Sequence, residues 1–223
     1  MTEDHPRADR ESAKTGSESN SPDAGSPPNS IRDESNSSDL TPGVDGADGP
    51  VPVAGTDHEP SPLLRTVLEG RSDGRALDVA TGLGRNAIAL ADAGWRVDAI
   101  DVSRSQLERA REHAVSRPAA VEWILADVDS YAFPEAVYDV VTISFYDARE
   151  RLSSILSALA PGGFLFYEHY LESTDRTGPG DRHRFASNEL LSVSTDLRVL
   201  YYAEYRVDGE PRVTLVARKP DDQ

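Results

Sequence analysis

Between Arg75 and Tyr170 the chain alternates five short apolar runs with segments of helical spacing, and this alternation constrains the fold more than any other feature. RALDVA reads as a buried strand, GRNAIALADAG as a helix stopped at Gly94, and WRVDAID as a second strand. In SRSQLERAREHA, Ser103 and Gln106 have the spacing of a capping box, and Leu107, Ala110 and Ala114 share one face. VEWILAD and YDVVTISFY are the third and fourth strands, LSSILSALA is a helix, and PGGFLFYEHY is a fifth strand entered through a turn. Strands joined by helices need right-handed crossovers, which implies a doubly wound parallel sheet covered on both faces. The end of the chain differs. DLRVLYYAEYR and EPRVTLVARK alternate around Asp208-Gly209, a strong hairpin signal, so the sheet should close with an antiparallel strand.

Order should begin near SPLLRTVLEG, where Leu63, Leu64, Val67 and Leu68 repeat at helical spacing behind a Ser61 cap and Pro62, and Gly70 ends the helix. Residues 1 to 60 carry 13 acids and 4 bases among Ser, Pro and Gly, with no apolar period. Such a segment buries too little apolar surface to offset its ordering entropy, so it reads as a disordered acidic tail before one domain at residues 61–220.

The formal net charge is −16, and of 23 basic residues only Lys14 and Lys219 are lysine. That pattern is like proteins of a salt-rich cytoplasm, where acidic surfaces stay hydrated and self-repulsion is screened. It also disfavours a nucleic-acid partner, because no basic stripe offsets the repulsion. The absence of cysteine removes disulfides, thiolate metal sites and cysteine nucleophiles. No segment has the basic flank and apolar stretch of a signal peptide or the roughly 18 apolar residues of a membrane span, so the expected protein is cytoplasmic, without a membrane partner.

The stretch LDVATGLGRN, residues 77–86, joins the first strand to its helix. Gly82 and Gly84 would permit positive φ and a close ligand approach at the floor of the crevice where strand order reverses. Such a turn serves a dinucleotide or the methionine end of S-adenosylmethionine, and three acids bear on the choice. Asp101 ends the second strand, where a carboxylate accepts ribose hydroxyls in either class. Asp78, four residues before Gly82, would repel a pyrophosphate yet suits a ligand bearing an ammonium and a sulfonium. Asp127, in LADV, can accept from an adenine amino group while Val128 offers its amide.

From about residue 60 to 219 the sequence resembles a class I S-adenosylmethionine-dependent methyltransferase, closest in its first motif to the small tellurite-resistance-type and thiopurine-type branch. Asp78, Gly82, Gly84, Arg85 and Asn86 match that motif, with Thr81 inside it. Ala80 replaces a frequent glycine and is expected to hold an extended strand end. IDVS, with Asp101 and Val102, matches the ribose motif, ADV, with Asp127 and Val128, the adenine motif, and LAPGG the approach to the fifth strand. The resemblance implies a Rossmann-like sheet of seven strands in the order 3-2-1-4-5-7-6, strand 7 antiparallel, and S-adenosyl-L-methionine as cofactor. Two other readings stand beside it: a nicotinamide-dependent oxidoreductase using the same turn, and a non-catalytic cofactor-binding protein.

Methyl transfer needs alignment, desolvation and sometimes a base. Ser144, with Phe145 and Tyr146, should lie beside the methionine moiety; SFYD is not the [DN]PP[YF] signature with which amino groups of adenine or glutamine are held, which disfavours nucleic-acid amino methylation, and a small-molecule acceptor is expected. The long stretch EHYLESTDRTGPGDRHRFASNELL, with Arg182, His183 and Arg184 and a short helix that Ser187 would cap, reads as a substrate loop. His169 is the candidate base, since imidazole titrates near working pH. Arg182 and Arg184 could meet an anionic acceptor or pair with nearby acids. Trp95 and Trp123 read as core. No metal site is expected, and the chain should act as a monomer or homodimer.

Overall fold

The computed structural model describes residues 59–71, 74–115, 120–173 and 181–221; the expected acidic tail lies outside these apart from Glu59 and Pro60. Helix α1 (Pro62–Leu68) starts as its sequence predicts, with the Ser61 hydroxyl accepting from the Leu63 amide at 3.2 Å and Pro62 in the first turn. Then follow β1 (Arg75–Val79), α2 (Arg85–Asp92), β2 (Arg96–Asp101), α3 (Arg104–Val115), β3 (Val121–Leu125), β4 (Tyr138–Ser144), α4 (Leu152–Ala158) and β5 (Leu159–Tyr170). A 3-10 turn (Asp181–His183), α5 (Glu189–Ser192), β6 (Arg198–Val207) and β7 (Glu210–Arg218) complete the described chain.

The seven strands form one sheet in the order β3-β2-β1-β4-β5-β7-β6. The pairings from β3 to β5 are parallel, while β7 runs antiparallel to both β5 and β6. The hairpin closes through Asp208 and Gly209, at φ +51° and +81°, between the paired Val207 and Glu210. Two positive φ values give a turn whose twist matches that of the flanking strands.

Alternation along the strands divides the core. Leu77, Val79, Val141, Ile143, Leu165, Tyr167 and Leu215 face α4 and α5, whereas Ala76, Val140, Phe166 and Val216 face α1 and α2. Burial of such side chains stabilises the domain by roughly 1.5–3 kcal/mol each.

Three local expectations are corrected. The fifth strand begins at Leu159, which already pairs with Tyr138, and a register shift follows before regular pairing resumes at Phe164 opposite Val140. Pro161 and Gly162 lie in that irregular stretch, where the Gly162 amide donates to the Lys219 carbonyl. The capping box is half formed: the Gln106 backbone amide donates to Ser103 Oγ at 3.4 Å, but the Gln106 side-chain oxygen Oε1 has no partner among the described residues. Asn188 rather than Ser187 precedes α5, because Glu204 engages both the Ser187 hydroxyl and the Asn188 amide.

Candidate functional site

The glycine turn is built from β1 outward. Thr81 donates its amide to the Ile100 carbonyl of β2 at 2.9 Å, and Gly84 donates back to Thr81. Gly82 has φ +57° and open space where a side chain would begin, so a ligand can approach its backbone. Gly84 has φ +77°, and a Cβ there would meet Trp123 at 2.6 Å. The first glycine therefore suits a ligand and the second a tryptophan. Trp95 is buried and Trp123 packs half-buried against the same cluster, as expected.

Ala80 departs from the expectation. It is not extended but lies in the left-handed region, at φ +53°. The chain must turn here to bring Thr81 under β2, a conformation that disfavours any residue with a Cβ.

Asp78 is buried, and the structure gives it a bracing task. Its Oδ1 accepts from the Thr142 hydroxyl at 2.6 Å, and its Oδ2 accepts from the Thr81 hydroxyl and from the Ala87 amide at 3.2 Å. One carboxylate thereby joins β1, β4, the glycine turn and the first turn of α2. Burial pushes its carboxyl above the ordinary range, against the opposing effect of these donors and Arg85.

Asp101 ends β2 and is mostly buried. Its Oδ2 accepts from the Gly82 amide and its Oδ1 from the Ser103 amide, both at 2.8 Å. Each carboxylate oxygen can accept again, so room remains for hydroxyl donors. Val102 beside it is 69% exposed, a large apolar side chain offered to whatever lies over the crevice. Asp127 is exposed just past β3, with Oδ1 accepting from the Asp129 amide, while the Val128 side chain is buried.

At the end of β4, Ser144 Oγ accepts from Asn86 Nδ2 at 2.9 Å and donates to Glu168 Oε1 at 2.8 Å. Arg85 pairs with the same Glu168 oxygen. Arg85, Asn86 and Ser144 are thus brought together, and the residue that joins them is Glu168, to which sequence reasoning gave a place at the end of the fifth strand and the start of the substrate loop but no part in the cofactor site. Its signal was available: an acid within FLFYEHY, an otherwise apolar strand. Phe145 has φ +56°, a costly conformation for an aromatic residue, which aims its ring at Tyr170 (centroids 4.7 Å apart) and beneath the Arg85 guanidinium.

On the other side of Phe145 opens a cavity of about 950 Å³, bounded by Phe145, Tyr146, His169, Tyr170, Arg182 and His183. His169 is buried at its base, ringed by Tyr167 and Phe185, and its Nδ1 donates to the Tyr170 carbonyl at 3.1 Å, which leaves Nε2 with the lone pair. Burial holds its pKa below the usual value, outweighing the pull of that carbonyl. Arg149 forms the wall: it takes both Asp147 oxygens at 2.8 Å, Glu189 at 2.9 Å and the Arg182 carbonyl. Burial would raise the Asp147 carboxyl, but the Arg149 bonds and His183 outweigh it and bring it down to about 2. Arg184 is committed to Glu210 and Asp181, while Arg182 is exposed and bonds His183. Among the described residues no cluster of His, Cys, Asp and Glu could hold a metal ion.

Residues 76–163 match the model of a family described as a methyltransferase domain. The demethylmenaquinone methyltransferase of Clavibacter sepedonicus is 37% identical over 94 residues, which cover 40% of this chain and 38% of that protein. The cypemycin N-terminal methyltransferase of a Streptomyces species is 37% identical over 139 residues, 58% of this chain and 51% of that one. The chain thus spans about half the length, or less, of these curated relatives. Among solved structures, TehB from Haemophilus influenzae matches with a TM-score of 0.60 at 22% identity, over 70% of this chain and 61% of that one, a likeness of fold.

Proposed function

We propose that this chain, whose residues 76–163 match a methyltransferase-domain family and whose sheet has the fold of TehB, is a class I S-adenosylmethionine-dependent methyltransferase that transfers a methyl group to a small-molecule acceptor. The domain that does so runs over residues 61–220. The observation that carries the reading is the junction at Ser144-Phe145: Ser144 bonds Asn86 of the glycine-turn helix, and Phe145 lines the cavity beyond it. Cofactor floor and acceptor cavity therefore share one wall.

The residues present fit S-adenosylmethionine. Gly82 leaves its backbone open, Asp101 has lone pairs for ribose hydroxyls, Val102 supplies an apolar surface for the adenine, and Asp127 is placed to accept from its amino group. Ala80, Thr81, Gly84, Arg85 and Val128 shape the same crevice. The cofactor supplies a carbon already activated by its sulfonium, so the chain must add alignment, dryness and, for a protonated acceptor, a base. Phe145, Tyr146 and Tyr170 line the cavity and supply aromatic surface to its shared wall. His169 lines the cavity with its Nδ1 held by the Tyr170 carbonyl, and the neutral Nε2 this leaves suits it to take a proton from an acceptor O–H, N–H or activated C–H.

The acceptor's size is bounded by the cavity, and the named relatives act on acceptors as different as demethylmenaquinone and the N-terminus of cypemycin. We take the protein to be cytoplasmic and to work as a monomer or homodimer. Among the described residues no helix is long and apolar enough to cross a membrane.

Thermal shift tests the reading. S-adenosylmethionine and S-adenosylhomocysteine should each raise the melting temperature, by roughly 2.7 kcal/mol of added stability at a hundredfold excess over Kd. Stabilisation by NAD alone would overturn it, and cofactor binding with no methylation across a broad acceptor panel would favour a non-catalytic protein.

A further inference from the structure

The acid expected to receive the cofactor's ammonium group is Asp78, yet it is 2% exposed and already holds three donors, from three other parts of the chain. Glu168 is different. It is 1% exposed, its Oε1 is shared by Arg85 and Ser144, and its Oε2 has no hydrogen-bond partner among the described residues. Asn86, 2% exposed, donates its Nδ2 to Ser144 and leaves its Oδ1 equally without a partner. One serine hydroxyl thus links two buried side chains, each with an idle acceptor oxygen, at the ends of β4 and β5 and the start of α2.

Buried oxygens without donors are rare and costly, most of all on a carboxylate. The charges sharpen what is missing. Asp78 and Glu168 place two carboxylates on this face of the sheet, and Arg85 is the guanidinium between them. Arg212 lies over the rings of Phe145 and Tyr170. The complement to such a place is a small cation with several N–H donors, and a primary ammonium has three.

We infer that Glu168 and Asn86 form the subsite for the ammonium group of the methionine moiety, with Glu168 Oε2 and Asn86 Oδ1 as its acceptors and Ser144 holding the pair in register. This rests on the methyltransferase reading above. Asp78 braces the turn, and Glu168, 90 residues later, supplies the recognising charge. Both oxygens are closed from solvent, so the ammonium enters as the Arg85 side chain, itself 10% exposed and bonded to the same carboxylate, shifts aside.

The test uses the full chain and two ligands, S-adenosylhomocysteine and its analogue lacking the amino group, with affinities read by calorimetry. The wild-type chain should prefer the amine by about tenfold or more, the worth of a charged hydrogen bond. In Glu168→Gln that preference should fall to within about threefold, with affinity for the deaminated analogue nearly unchanged. An undiminished preference overturns the inference; it is also what would be seen if water alone satisfied the two oxygens. Should Glu168→Gln fold poorly or lose both ligands, a crystal structure of the wild-type chain with S-adenosylhomocysteine decides. The amino nitrogen within hydrogen-bonding distance of Glu168 Oε2 or Asn86 Oδ1 supports the assignment, and a nitrogen lodged elsewhere refutes it. If the wild-type chain binds neither ligand, the cofactor reading fails first and takes this inference with it.

Discussion

The amide of Gly82 donates to Asp101 Oδ2 at 2.8 Å, so the carboxylate that ends β2 holds the floor of the glycine turn in place. A residue expected to read a ribose is thereby also part of the frame around it, and the two roles separate by experiment.

Asp101→Ala should weaken S-adenosylhomocysteine binding by about 1–3 kcal/mol, through loss of charged hydrogen bonds and of the turn's anchor. Asp101→Asn keeps one acceptor oxygen and should fall between the two. Unchanged affinity in calorimetry would place the ribose elsewhere.

The two glycines should respond in opposite ways. Gly82→Ala meets open space, so it should cost roughly 1 kcal/mol of stability for its positive φ while abolishing most cofactor affinity. Gly84→Ala drives a methyl into Trp123 and should cost more, about 2–4 kcal/mol, measured as a lower urea midpoint. Equal stability losses in the two variants would contradict the division of labour.

Ala80→Gly should stabilise. The left-handed φ of +53° strains alanine, and relief of that strain exceeds the added entropy of glycine in the unfolded chain, for a net gain of roughly 0.5–1 kcal/mol. A lower melting temperature in this variant would show that Ala80 is extended after all.

The Asp147–Arg149 pair should hold the cavity wall until the solution is strongly acidic. The Asp147 carboxyl is lowered to about 2 in the folded chain, below its unfolded value, so its contribution, cut by solvent screening to about 1 kcal/mol or less, is fully present above about pH 4 and lost as pH falls toward 2. The stability difference between wild type and Asp147→Asn, from urea melts at several pH values, should shrink over that window. A difference independent of pH would mean that the pair is not formed.

The acidic composition predicts a salt response. With a net charge of −16, molar KCl should raise the melting temperature by screening self-repulsion. A flat or falling curve would remove salt adaptation as the reason for the composition.

Much of the fold is legible because it is written locally. The alternation of apolar runs, the Asp208-Gly209 turn and the Ser61-Pro62 helix start each depend on neighbours a few residues apart, whereas the strand order was implied only by the resemblance to class I methyltransferases. The glycine turn and its three companion acids were legible as types and spacings. What Asp78 does was not, because its partners Thr142 and Ala87 lie on other elements, 64 and 9 residues away. Phe145 was likewise legible only as a residue after a strand; that its backbone turns to a positive φ depends on the Glu168 carbonyl, which accepts the Phe145 amide, and on the Tyr170 ring.

The sequence by itself determined the sheet, the position of the cofactor turn and the kind of ligand it suits, since periodicity, glycine placement and acid spacing act over short range. Only the tertiary structure decided which acid is braced and which is left wanting a partner. Burial and hydrogen-bond satisfaction are properties of the packed interior, and no single stretch of chain contains both Asn86 and the Glu168 carboxylate to which Ser144 joins it.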